Sequence, residues 1–310
     1  MKFAVIGSGA FGCYYAGMLK KAGEQVFLLS RGESLETIKR DGLRIITDSS
    51  EFIIQPDVTS CRVEDFPKVD VVIIAVKTWQ VREVSSMIGH LLTQKSIIIP
   101  LQNGVESYPT LKELYPRNAI GGLTRMICYV KSPGTVRQTG FQPYIAFGRD
   151  DAIATQTMSD TRDCFHGAGF SSEISDDIQR EIWVKFLVMT TFGGVGSVTQ
   201  APIGVLRAMK ETREMMDDSM DEVIGVANSM NVNIGPGEKS QSWTWFESLP
   251  PETTSSTQRD VAVGKPSEIG DLSGAVVRLG KINGMNTPLH SFIYSSILPG
   301  EERARGRLHF

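Results

Sequence analysis

The first thirty residues hold an unbroken strand–turn–helix–strand pattern, and that pattern constrains the fold more than any other stretch. Residues 3–6 are a short apolar run, long enough for one buried strand. Gly7, Ser8, Gly9, Ala10, Phe11 and Gly12 follow at once and match G-x-G-x-x-G. From there apolar residues recur at helical spacing: Phe11, Tyr15, Met18, Leu19 and Ala22. Lys20 and Lys21 fall in the last turn, where cations suit a helix C-terminus, and Gly23 suits a left-handed cap. Residues 26–29 read as a second buried strand.

Each glycine has a physical job in such a unit. Gly7 permits the tight turn out of the strand, Gly9 lets backbone approach a pyrophosphate, and Gly12 lets helix and strand pack closely. The helix N-terminus then faces the anion. The unit therefore predicts dinucleotide binding. The end of the second strand separates the two nicotinamide cofactors. An NAD site carries Asp or Glu there to hold the ribose hydroxyls. Here the strand ends in Ser30 and Arg31. A hydroxyl and a guanidinium hold a 2′-phosphate, which a carboxylate would repel. The expected cofactor is NADP (NADPH). The alternative leaves Arg31 solvated and gives the ribose to Glu33.

A length of 310 residues suggests two domains. A charged fraction of 22% and a net charge of −3 carry no signal for nucleic acid. The four cysteines, Cys13, Cys61, Cys128 and Cys164, are scattered without a C-x-x-C, which argues against a metal site or disulfide framework and suits a cytoplasmic protein. No apolar run approaches the ~20 residues that span a bilayer, so no membrane partner is expected.

Beyond Arg31, residues 35–41 suggest a short helix, and residues 43–46 and 52–54 a strand pair. Residues 69–76 form a continuous apolar run, the signature of a parallel strand covered on both faces, with Lys77 at its end. Val81, Val84, Ile88 and Leu91 then predict one helix. Residues 96–100 are the next strand, ending before Gln102 and Asn103. Alternating strands and helices imply a doubly wound parallel sheet, with ligands beyond the strands' carboxyl ends. The Gly7–Gly12 turn, Arg31, Lys77 and Asn103 all fall at such ends. Residues 119–148 read as antiparallel strands completing that sheet, residues 152–168 as a helix and 171–175 as a last strand.

From residue 178 the chain turns helical. The expected boundaries are a Rossmann domain at 1–176 and an all-α domain at 177–310. Leu206, Met209, Met216, Met220, Val223 and Ala227 form a core-facing stripe. Thr257 to Asp260 resemble a capping box. Ile269, Leu272, Val276, Leu279 and Ile282 define a late helix with Glu268 in its first turn, and the charged segment from Pro299 reads as frayed.

Reducing a ketone with a nicotinamide needs a proton or positive charge at the developing alkoxide. With only four histidines in the chain, lysines are the candidate acids. Lys185 sits in the apolar stretch 183–189. A lysine there either snorkels or is functional, and desolvation pulls its pKa toward the working pH. Lys77 is the other candidate, or a strand-terminating surface lysine. Asn103 reads as a hydrogen-bond partner for carboxamide or substrate, or as a turn residue before Gly104. Glu268 and Ser256 read equally well as helix-entry residues.

Together these segments resemble the ketopantoate reductase (2-dehydropantoate 2-reductase) family over nearly the whole chain. The motifs are GSGAFG at 7–12, AVKTWQ at 75–80, PLQNGVES at 100–107, W-x-K at 183–185 and SSTQRDVAVGKPSEIGDLSGAVVRLG at 255–280. The resemblance implies NADPH-dependent reduction of 2-dehydropantoate to pantoate, a step of pantothenate biosynthesis, in the cytoplasm. It implies Lys185 as general acid, Glu268, Ser256 and Asn103 at the substrate, and Lys77, Asn103 and Glu268 near the nicotinamide. It also implies a Rossmann domain followed by a helical domain of the 6-phosphogluconate dehydrogenase C-terminal type. A homodimer through the helical domain is compatible with this reading. One departure stands out: the family carries asparagines four and eight residues after the lysine, where this chain has Met189 and Gly193. The alternatives are therefore a reductase of another 2-keto acid or ketone and, from another class, a non-catalytic NADP-binding sensor.

Overall fold

The computed structural model describes residues 1–309. The chain divides into two compact units, Met1–Gln102 with Ser107–Ile178, and Asn103–Glu106 with the chain from Gln179 onward.

The first unit runs β1 (Lys2–Ile6), α1 (Ala10–Lys21), β2 (Gln25–Leu29), α2 (Gly32–Asp41), β3 (Leu43–Ile46), β4 (Glu51–Ile54), β5 (Val58–Ser60), β6 (Val71–Ile74), α3 (Val81–Ser85), β7 (Ile97–Pro100), α4 (Ser107–Leu114), β8 (Gly121–Ser132), β9 (Thr135–Gly148), α5 (Gln156–Gly167) and β10 (Ser171–Ile174). Five strands make a parallel sheet in the order β5-β2-β1-β6-β7. Its apolar runs are continuous because both faces are covered. Phe3, Val5, Val26, Leu28, Val71 and Ile73 pack with Tyr15 and Leu19 of α1. Ala4, Ile6, Phe27, Leu29, Val72 and Ile74 pack on the other side with Val81 and Val84 of α3 and Tyr108 and Leu111 of α4. The pleat alone sorts the two sets, since successive side chains point to opposite faces.

Two expectations change here. The segment 119–148 does not complete the parallel sheet. β8 and β9 are a long antiparallel hairpin in a second sheet, ordered β10-β9-β3-β4 with β8 on β9. The reason is α1, which lies between the sheets. Leu43, Ile45, Val136, Ile145 and Phe147 of the second sheet share its core cluster. Tyr15, fully buried, donates its hydroxyl to Thr124 Oγ1 at 2.8 Å and stacks on Phe170. Likewise Val81, Val84, Ile88 and Leu91 are all buried but do not form one helix; α3 stops at Ser85 and a separate 3₁₀ turn follows at Gly89–Leu91. Ser85 accounts for part of this: its hydroxyl donates to the Val81 carbonyl at 2.5 Å, a local bond that competes with the helix.

The second unit is helical: α6 (Ile178–Thr199), α7 (Ile203–Ala208), α8 (Lys210–Ser229), α9 (Pro236–Ser248), α10 (Ser256–Ala262), α11 (Ser273–Ile282) and α12 (Pro288–Ala304). α6 is long and apolar enough to cross a bilayer by composition, contrary to the sequence reading, yet 72% of its apolar window is buried inside the protein. The stripe from Leu206 to Ala227 breaks at Met209, which leaves the helical region between α7 and α8 and is half exposed. The cap of α10 is Ser255, not Thr257; its hydroxyl accepts from the Gln258 amide at 3.0 Å. Ile282 at the end of α11 is 77% exposed and outside the core. The segment from Pro299 is not frayed: Pro299 lies within α12, and Glu301 beyond it is buried.

Between α6, α8 and α12 runs a buried polar chain. Thr191 and Ser219 hydroxyls are 3.0 Å apart, and Ser219 Oγ is 3.2 Å from His290 Nε2. The Glu222 carboxylate accepts the backbone amides of Leu289 and His290 at 2.7 and 3.0 Å. Burial holds the His290 imidazole neutral, its pKa lowered to about 4.

Candidate active site

In the first unit the glycine turn is built as the spacing requires. Gly7 has φ of +114°, a region closed to most side chains, and a Cβ there would meet the Val76 amide nitrogen at 2.9 Å. A Cβ on Gly12 would lie 1.8 Å from the Gly7 carbonyl oxygen, so only glycine lets α1 start this close to β1. Beside Gly9, by contrast, the nearest atom to such a Cβ is the Ala75 carbonyl oxygen at 4.0 Å, leaving room for a ligand. No side chain caps α1 at Gly9, so its N-terminal amides suit a phosphate.

Ser30 is buried at the end of β2 and donates to Ser8 Oγ at 2.7 Å. That bond ties the strand end to the glycine turn. Arg31 is exposed at the N-cap of α2, and Glu33 lies in the first turn of that helix. Lys77 is exposed just beyond β6, its Nζ 5.8 Å from the centre of the Trp79 ring. Gln102 was not singled out by sequence, yet it fixes the same edge: its amide donates to the Ile74 and Val76 carbonyls at 2.9 and 2.8 Å. Cys13 donates to the Ser8 carbonyl at 3.2 Å, and burial pushes its thiol up to about 12. It stays a protonated core group, and all four cysteines are free.

The second unit gathers the other candidates. Lys185 is 8% exposed on α6, between buried Trp183 and Phe186. Glu268 is buried too, and its Oε2 accepts from Asn103 Nδ2 at 3.2 Å. Glu268 is not in the first turn of the late helix as expected. α11 begins at Ser273, and Glu268 precedes it in a turn whose carbonyl accepts from Asp271 and Leu272. Ser256 is exposed at the first position of α10.

Several residues of this neighbourhood were not foreseen. Asp271 is raised to about 7 by burial and then by the Glu268 charge, against the pull of Arg278. Arg278 binds Glu106 with Nη2 at 2.5 Å, which secures the segment carrying Asn103. Glu301 accepts the Ser267 amide at 3.0 Å, the Ser267 hydroxyl at 2.7 Å and Arg305 Nε at 2.6 Å. Arg305 Nη2 donates in turn to the Ser267 carbonyl at 3.0 Å. Ser267 has no exposure at all, so this clamp fixes the residue next to Glu268. Its only sequence signal was Glu301 and Arg305 at i, i+4 inside a segment read as a tail. No cluster of three or more metal-ligating side chains occurs among the described residues.

Residues 3–151 match the family described as ketopantoate reductase PanE/ApbA, and residues 177–299 match that family's C-terminal part. The chain belongs to the ketopantoate reductase PanE/ApbA family. It is 26% identical over 298 residues to the uncharacterized oxidoreductase YkpB of Bacillus subtilis, covering 96% of this chain and 98% of that one. It is 28% identical to a 2-dehydropantoate 2-reductase of Aquifex aeolicus over 94% of each. A solved PanE/ApbA family ketopantoate reductase of Ralstonia eutropha superposes with a TM-score of 0.90 at 28% identity, covering 98% of this chain and all of that one. A D-mandelate dehydrogenase solved with NADH and anilino(oxo)acetate shares the fold, with a TM-score of 0.87 at 22% identity and coverage of 98% and 100%. The family comprises oxidoreductases acting on CH–OH and C=O groups with a nicotinamide cofactor, and the Rossmann-plus-helical architecture is the family's.

Proposed function

We propose that this protein is an NADPH-dependent 2-keto acid reductase, with Lys185 as its general acid. The supporting observation is the buried ammonium of Lys185 on α6, in the same helical unit as the Asn103–Glu268 pair. NADPH would be held by Gly7 to Gly12 at the N-terminus of α1, with Arg31 on its 2′-phosphate; Ser30, expected there too, is buried and gives its hydroxyl proton to Ser8 instead. Support comes from the turn, which is open beside Gly9, and from exposed Arg31, whose charge suits a phosphate. When bound, the nicotinamide supplies the hydride. Lys185 donates a proton to the carbonyl oxygen as it becomes a hydroxyl. A lysine ammonium at the carbonyl both stabilises the developing negative charge and supplies the proton. Asn103, Glu268 and Ser256 orient the substrate, and Lys77 keeps the nicotinamide side of the site positive.

The relatives' names point to 2-dehydropantoate as substrate, which would place the reaction in pantothenate biosynthesis in the cytoplasm. A second reading, another 2-keto acid or ketone, is favoured by Met189 and Gly193, neither of which offers a hydrogen bond. A homodimer through the helical unit belongs to the proposal as well. The deciding experiment follows NADPH absorbance with a panel of 2-keto acids. Turnover that collapses in Lys185→Ala, while NADPH still binds, supports the reductase. Absence of turnover with every keto acid leaves only a nucleotide-binding role.

A further inference from the structure

The flank of α6 around Lys185 has a composition that bears on the substrate. On a helix, the surface neighbours of a residue lie three and four positions away. For Lys185 these are Glu181, Ile182, Val188 and Met189. Glu181 is the charged member and lies a turn toward the N-terminus. Between Lys185 and Val198, Val188 and Met189 alone retain exposure; every residue from Thr190 to Ser197 is buried. Val184, preceding the lysine, is also half-buried.

One turn further on, at Gly193, the helix packs against its neighbours. A Cβ there would lie 3.2 Å from Leu272 Cδ1 and 3.5 Å from both Cβ and Oγ1 of Thr257. Gly194 and Gly196 are closer still to their neighbours, with Ser273 Oγ at 2.9 Å and Gln258 Oε1 at 2.6 Å from the corresponding Cβ positions. α10 and the segment leading into α11 therefore pack close to α6 at position 193, where glycine contributes no side chain. From Lys185 toward the C-terminus, this face of α6 offers a ligand methyl groups and a thioether, and no amide or hydroxyl.

We infer that the substrate is a 2-keto acid with an apolar side chain, branched aliphatic or aryl and without a hydroxyl, and that Val188 and Met189 set this preference. The inference rests on Lys185 being the proton donor at the keto group. A substrate hydroxyl laid against this flank loses its water and gains no partner from α6. An apolar wall at a binding site discriminates against an added hydroxyl by about tenfold to a hundredfold.

The test compares kcat/KM of the intact protein with NADPH for three acids: 2-oxo-4-methylpentanoate, phenylglyoxylate and 2-dehydropantoate, which carries a hydroxyl. The better apolar acid is expected to exceed 2-dehydropantoate by at least tenfold. Met189→Asn is expected to shift that ratio at least tenfold toward 2-dehydropantoate. A wild-type ratio under tenfold overturns the inference, and this arm needs no variant to fold. An unchanged ratio in folded Met189→Asn also overturns it. Turnover of 2-dehydropantoate above both others sinks this inference while leaving the reductase standing. No turnover of any acid sinks both.

Discussion

The two units present their candidate ligand groups in opposite ways. The first offers backbone: a glycine turn, the start of α1 and strand ends, arranged so that added Cβ atoms would clash at Gly7 and Gly12. The second offers side chains, Lys185, Asn103 and Glu268, the last two supported by other side chains, Arg278 to Glu106 and Glu301 to Ser267. A site made of backbone depends on a few residues that must be small. A site made of side chains depends on a supporting layer of further side chains.

The comparison can be broken from either side. Lys185→Ala is expected to lower kcat by about 100- to 10,000-fold, the range of general acid catalysis, while NADPH affinity measured by fluorescence titration stays within a few fold. Equal losses in both would dissolve the division of labour. Gly12→Ala pushes a methyl group onto the Gly7 carbonyl. It should weaken NADPH binding by about a hundredfold or more by displacing α1 from the strand, with secondary structure by circular dichroism otherwise retained. Arg31→Ala removes a charge-assisted contact, typically about 1.5–3 kcal/mol, discounted here because Arg31 is exposed. About tenfold weaker NADPH with unchanged NADH is expected from isothermal titration; equal effects on both would move the ribose contact to Glu33.

The smallest effects concern pH and sharpen the contrast within the helical unit. His290 is lowered from 6.5 to about 4, so it binds a proton in the unfolded chain before it does so in the folded one. Its contribution is complete above pH 6.5 and is lost as pH falls toward 4. Asp271 is raised from 3.8 to about 7, so charging it opposes folding, and stability returns as pH falls from 7 toward 3.8. Between pH 7 and 5 each amounts to about 2 kcal/mol, with opposite sign. Relative to wild type, His290→Gln should gain stability on acidification and Asp271→Asn should lose it, as read by urea unfolding at the two pH values. Parallel shifts in the two variants would contradict these assignments.

Much of the first unit was legible because its signals are local. The run at 3–6, the glycines and Lys20–Lys21 before Gly23 each act over a few residues. The second sheet was not legible, since nothing in residues 43–46 says that they pair with 135–137 rather than with the parallel sheet; that pairing follows from α1 lying between two sheets. In the helical unit Lys185 was visible as a charge in an apolar stretch. Glu268 was visible as a residue but misplaced in the late helix, because Pro266 reads as a helix start while the chain makes a further turn before Ser273. Glu301 and Asp271 were hidden, as their importance lies in what they touch. Asp271 acquires its character from burial beside Glu268, and Glu301 from Ser267, 34 positions earlier.

The Glu301–Ser267–Arg305 clamp has a practical consequence. The final helical turn is mechanically coupled to the carboxylate at 268, although it looks like dispensable terminus. A cleavage, fusion or crystallisation trim placed ahead of Arg305 would strip the guanidinium from Glu301, strand a buried anion, and slacken the turn that carries Glu268.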